Sequence, residues 1–112
     1  MKNLILAFTL VVASICCKSL PEITPKKGSF DVNSNQNLTL WNTNHQSFLV
    51  RLENTSTKNS CEVYIIKNGS KKWISPSLLA NKSLYFNVPT NASVFIENYS
   101  TDNVKINYSI NQ

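Results

Sequence analysis

From residue 29 to the C-terminus, apolar and polar residues alternate along short stretches, and residues 46–53 show it most plainly. Phe48, Val50 and Leu52 fall on one side there, with Leu49, Arg51 and Glu53 on the other. A period of two is the period of a β-strand with one face against a core and one in water. The same reading predicts strands over residues 29–32, 38–41, 46–53, 61–66, 71–75, 83–88, 92–97 and 103–110. Their inward sets include Cys61, Val63 and Ile65; Leu84, Phe86 and Val88; Val94 and Ile96; and Val104, Ile106, Tyr108 and Ile110.

Turn-forming residues separate these stretches. Asn68-Gly69 lies between two of them, and this pair tolerates the positive φ angles that a two-residue hairpin requires. Residues 54–60 hold no apolar side chain other than threonine methyls and read as a connection, as do 89–91 and 98–102. Residues 76–82 are read as a loop, with a helical turn and a plug of one end of the fold by Leu78 and Leu79 as the two alternatives within it. Seven to eight short strands with no amphipathic helix between them imply an all-β fold, a single small antiparallel β-sandwich with immunoglobulin-like or jelly-roll connectivity.

The first seventeen residues break the pattern. Lys2 is followed by an apolar run over residues 4–15, interrupted only by Thr9 and Ser14, and then by Cys16-Cys17. A cationic start and a dozen apolar residues form an export signal, too short for a bilayer-spanning helix. Residues 18–28 hold two prolines, a glycine and three lysines, which suit an extended, flexible tether rather than a helix. The expected organisation is a signal over 1–17, a tether over 18–28 and a β-sandwich over 29–112. The mature chain of about 95 residues is enough for one core and one domain. Only Cys61 lies within the folded part, so stability rests on apolar packing rather than on an internal disulfide.

Signal, cysteine, spacer and domain in this order resemble a bacterial lipoprotein precursor. In that family an aliphatic residue stands three places before the lipidated cysteine and a small residue directly before it. Here Ile15 precedes Cys16, whereas Cys17 has Cys16 before it and Ser14 three places back. The resemblance implies lipidation at Cys17, with Cys16 the alternative, and a membrane partner through that anchor. An ordinary secretory cleavage, giving a free secreted domain, is the competing reading. The turn and core positions Arg51-Leu52-Glu53-Asn54, Ile66-Lys67-Asn68-Gly69, Val88-Pro89-Thr90-Asn91-Ala92 and Val104-Lys105-Ile106 resemble small sandwich domains of bacterial surface and secreted proteins. That likeness bears on fold alone.

Asn-X-Ser/Thr triplets begin at Asn37, Asn54, Asn68, Asn81, Asn91, Asn98 and Asn107. Glycosylation of these would require a eukaryotic secretory route and an accessible loop at each site.

Reactive groups are sparse. His45 is the one histidine, read as a solvated loop residue, and a Ser/His/Asp arrangement would have to be built on it with Asp31 or Asp102. No nucleophile-elbow motif frames any serine. Glu53, Glu62 and Glu97 take outward strand positions, where acids provide solubility, and one histidine with one cysteine does not assemble a zinc site. No catalytic residue, metal or cofactor is expected, and the spacing of Asp31 and Asp102 asks for no calcium.

A binding role fits better. Trp41, Trp73, Tyr64, Tyr85 and Tyr99 are candidate platforms for sugar rings or peptide chains. The chosen ligand-binding set is Trp73, Lys71, Lys72 and Tyr85, because the hairpin return brings an indole beside two ammonium groups; the competing reading buries both tryptophans in the core. The formal charge of +5 is concentrated in the tether and the hairpin, a bias toward anionic headgroups or acidic polysaccharide. No nucleic-acid recognition motif is present. The sequence therefore reads as an exported, membrane-anchored, non-catalytic binding or interaction module of the periplasm or cell envelope. A carbohydrate-binding domain and an inhibitor or immunity-type protein that blocks a partner are the alternatives.

Overall fold

The computed structural model describes residues 20–42 and 44–112, so the expected signal and Cys16-Cys17 lie outside the described residues. Eight strands follow one another: β1 (Lys27–Val32), β2 (Asn37–Leu40), β3 (Phe48–Asn54), β4 (Glu62–Lys67), β5 (Ser70–Trp73), β6 (Ser83–Val88), β7 (Ser93–Glu97) and β8 (Val104–Asn111). All pairings are antiparallel, in one sheet ordered β1-β8-β3-β6 and another ordered β2-β7-β4-β5.

The pairing has a simple logic. β4 pairs with β5, β3 with β6, β2 with β7 and β1 with β8. The chain is thus one long antiparallel ribbon with its tip at the β4–β5 turn, rolled so that β3 meets β8 and β4 meets β7. That is the jelly-roll arrangement, which selects between the two connectivities open to the sequence.

Alternation sorts the side chains as expected. Phe48, Val50, Leu52, Val88, Val104, Ile106 and Ile110 from one sheet meet Val63, Val94 and Ile96 from the other in a buried core. Each fully buried aliphatic side chain of this kind stabilises the fold by about 1.5–3 kcal/mol. The tip turn is as predicted: Asn68 and Gly69 both have positive φ, 52° and 76°. Asn35, Asn81 and Asn91 also adopt positive φ, which accounts for part of the asparagine richness, since asparagine tolerates this region better than other side chains.

Several expectations change. Trp41 takes φ 55°, which ends β2 one residue early, and its ring packs edge-on against Phe48 and Tyr108 beside the core. The fifth strand stops at Trp73 rather than reaching Ser75. Leu78 is buried and exchanges two backbone hydrogen bonds with Cys61, whereas Leu79 is exposed, so only one of the pair plugs the fold.

The chain from Leu20 to Gly28 is not a free tether. Ile23 is buried and its N–H donates to the Gln112 side-chain oxygen; Gln46 donates from its backbone to Pro21 and from its side chain to Leu20. The Tyr108 hydroxyl donates to the Pro25 carbonyl, and Lys27 and Gly28 already belong to β1. At Gly28 a Cβ would lie 2.9 Å from the Tyr108 ring, so a larger residue there would have to push that ring aside. Proline and lysine content reads as a spacer locally, but Ile23 supplies an apolar anchor that finds the core only in three dimensions.

Two buried asparagines organise the loops. Asn98 donates from its amide nitrogen to the carbonyls of Val32, Asn33 and Asp102 and accepts at its side-chain oxygen from Ser100. Asn54 donates to the carbonyls of Asn59 and Leu78 and accepts from the Ser56 N–H. Both begin Asn-X-Ser triplets, yet their amides are committed inside the protein, so the folded domain offers neither for glycosylation.

Candidate functional site

The ligand-binding set read from the sequence divides between the two sheets. On the outer face of the β2-β7-β4-β5 sheet, Trp73 lies opposite Tyr64, and Tyr64 opposite Phe95, so three aromatic residues form a row across β5, β4 and β7. Trp73 is 52% exposed rather than in the core, and its indole N–H donates to the Ser77 hydroxyl at 2.9 Å, which fixes the ring. Lys71 shares this face, two residues before Trp73. Its ammonium stands 4.4 Å from the Tyr64 ring centre and 4.3 Å from that of Phe95, a double cation–π contact. Lys72 pairs with the inward-facing Ile65 and so projects from the opposite side of β5. Tyr85 belongs to the outer face of the other sheet.

Next to the aromatic row, Glu62 and Glu97 lie directly opposite each other on β4 and β7. Like charges in that position repel. Two phenols offset this: the Tyr64 hydroxyl donates to Glu62 and the Tyr99 hydroxyl to Glu97. Donation to a carboxylate holds the proton on the phenol, so both tyrosines titrate above their ordinary value of 10.0, with desolvation and the nearby glutamate charges adding to the effect. Tyr99 is pushed up to about 12. A group whose folded pKa is raised contributes stability that is intact below its unfolded value and is lost as pH rises through the folded one. The expected result is a late phenolate component in the ultraviolet absorbance titration that disappears in Tyr99→Phe. The difference in stability between the two proteins should shrink between pH 10 and about 12. An unchanged titration curve in the variant would refute the assignment.

The outer face of the β1-β8-β3-β6 sheet carries Tyr85, 71% exposed, in a cross-strand row with Arg51 and Ser109. Arg51 lies 6.0 Å from the Tyr85 ring centre and pairs with Glu53 at 3.2 Å. A hollow of about 260 Å³ opens here, lined by Leu49, Val50, Arg51, Tyr85, Ser109 and Asn111. Of these, the sequence pointed to Tyr85 alone as a ligand-binding residue, with Leu49 and Arg51 read only as outward strand positions. Leu49 was the readable signal: an apolar side chain at an outward strand position, half exposed in the fold.

His45 is fully buried, not solvated. Its Nδ1 lies 2.6 Å from the Gln46 carbonyl oxygen and its Nε2 2.7 Å from that of Ala92, with the ring edge-on to Phe48. Both nitrogens are thereby engaged by main chain, and neither faces a serine or Asp31 or Asp102. Among the described residues no group of three or more His, Cys, Asp or Glu side chains converges on a metal position. Burial pushes the Cys61 thiol up to about 11, which keeps it protonated and a poor nucleophile.

No protein-family model matches the sequence, and no curated protein matches it. Solved structures do resemble the fold. Drosophila melanogaster CENP-C bound to CAL1 aligns with 81% of this chain and 68% of its own at 10% identity, TM-score 0.55. The Drosophila melanogaster CENP-C cupin domain aligns with 81% of this chain and 64% of its own, also at 10% identity, TM-score 0.53. At that identity the likeness shows a shared cupin-like, two-sheet architecture and nothing of activity.

Proposed function

We propose that this chain is an exported, lipid-anchored, non-catalytic binding module of the cell envelope, which takes a carbohydrate ligand on the outer face of the β2-β7-β4-β5 sheet. The observation that carries this reading is Trp73: a half-exposed indole, held by Ser77 and two residues from an ammonium that is itself held over two rings. Fixing both groups before the ligand arrives lowers the ordering cost of binding. The ring supplies stacking area for a sugar, and Lys71 supplies a donor for its hydroxyl or acidic substituents.

Export and anchoring rest on the apolar run over residues 4–15 and on Cys17. Because the sandwich grips the chain from Leu20 onward, only Lys18 and Ser19 separate Cys17 from the folded body. At no more than about 3.6 Å per residue, an anchor at Cys17 holds Leu20, where the chain joins the folded body, within about 11 Å of the bilayer surface.

The test pairs mass spectrometry of the native N-terminus with a glycan array. Expected are an acylated Cys17, its loss together with membrane association in Cys17→Ala, and array binding that falls about tenfold or more in Trp73→Ala. An unmodified mature terminus would overturn the anchor, and equal binding by the Trp73 variant would overturn the site.

A further inference from the structure

The hollow on the outer face of the opposite sheet belongs to neither the core nor the Trp73 face, and its construction is specific. Ser109 has the smallest side chain in the row Tyr85, Arg51, Ser109, Lys27, and the space opens where that row steps down from Arg51 to Ser109. Tyr85 provides an exposed ring on one side and Leu49 an apolar surface in the next row, with the amide of Asn111 opposite Leu49. Arg51 gives the site its guanidinium, but Glu53 already offsets that charge, and Glu53 is held in turn by the Asn107 amide at 3.4 Å. Lys27, the register neighbour of Ser109, does not line the space.

This combination selects its occupant. A fully apolar ligand would cover Ser109 and Asn111 without offering them a partner, at a cost in desolvation. An anion would compete with Glu53 for a guanidinium that is already neutralised. A ring with one apolar face and neutral hydroxyl groups on its rim satisfies every wall: it stacks on Tyr85, covers Leu49, and exchanges hydrogen bonds with guanidinium, hydroxyl and amide. About 260 Å³ lies just below the range of drug-sized pockets, which suits one ring rather than a chain. We propose that the hollow between Tyr85, Arg51 and Ser109 is a subsite for a single neutral sugar residue. It rests on the reading of the domain as a binding module but uses a different face.

Titration of the isotope-labelled mature domain with glucose, galactose, mannose and N-acetylglucosamine, followed by amide NMR, tests it. At least one of these sugars is expected to produce saturable shifts at Leu49, Arg51, Tyr85, Ser109 and Asn111. Affinity should fall about tenfold in Tyr85→Ala and in Ser109→Phe, which fills the space without touching Tyr85, and stay unchanged in Trp73→Ala. Both altered positions lie on the outer sheet face, and thermal melting verifies that each variant remains folded. The absence of saturable shifts, or tighter binding of galacturonic acid than galactose, would overturn the proposal. Shifts abolished by Trp73→Ala but retained in Tyr85→Ala would also overturn it while leaving the Trp73 site standing; loss of binding at the Trp73 face alone would do the reverse.

Discussion

Replacing Asn98 by aspartate, an exchange of one NH2 for one oxygen, is expected to destabilise the domain by about 3–5 kcal/mol at neutral pH. The amide nitrogen donates to the carbonyls of Val32, Asn33 and Asp102, and a carboxylate oxygen there would face three acceptors with no proton between them. Domains of this size have about 5–13 kcal/mol in total, so the variant would sit near its unfolding threshold. Its carboxyl would resist ionisation in the fold and therefore hold a proton that the unfolded chain releases. The variant's stability should accordingly fall as pH rises from acid toward neutral. Urea unfolding at several pH values measures both effects, and a loss below about 1 kcal/mol would show that the three carbonyls find other donors.

His45→Phe is the second large effect, an expected loss of about 2–4 kcal/mol. Phenylalanine restores the volume against Phe48 but removes the ring N–H, so whichever of the Gln46 and Ala92 carbonyls receives it is left without a donor. The damage should spread along one path. The His45 N–H donates to the Asn91 side chain, its carbonyl accepts from the Asn91 N–H, and Gln46 holds Leu20 and Pro21. Faster amide exchange at Asn91, Gln46 and Ile23 is therefore expected beside a lowered denaturation midpoint. A variant within about 0.5 kcal/mol of the parent would mean that solvent reaches these carbonyls and that the ring serves only to fill space.

Both residues show why the sequence undersold its polar core. A histidine among Asn, Thr and Gln looks like a loop residue, because polarity along the chain is a fair guide to exposure for a strand but not for a connection. The jelly roll closes its ends with connections, so a polar side chain in one of them is buried where it can satisfy several carbonyls at once. Asn54 and Asn98 follow the same rule, each accepting from the backbone N–H two residues ahead while donating across the fold. Nothing in the local sequence distinguishes them from Asn91, whose side chain is exposed.

The candidate site was legible in part for a related reason. Strand alternation is local, so it put Lys71 and Trp73 on one face of β5 and Tyr85, Leu49 and Arg51 at outward positions of their own strands. Whether two outward faces coincide depends on which sheet each strand joins. Tyr85 left the Trp73 set because β6 pairs with β3 and not with β5. Lys72 left it through alternation itself, which the proximity of three consecutive residues in the chain had obscured.

By itself the sequence determined that the chain is a run of seven to eight short strands, their faces, most apolar positions of the core and the Asn68-Gly69 tip, since each depends on a period of two or on the φ preference of one or two residues. Tertiary structure alone decided that β1 closes on β8 and β2 on β7, that Ile23 draws a lysine- and proline-rich segment onto the body, and that His45, Asn54 and Asn98 lie inside. These outcomes depend on contacts between residues tens of positions apart. No local preference encodes such contacts; the sum of buried area and satisfied hydrogen bonds over the whole ribbon selects them.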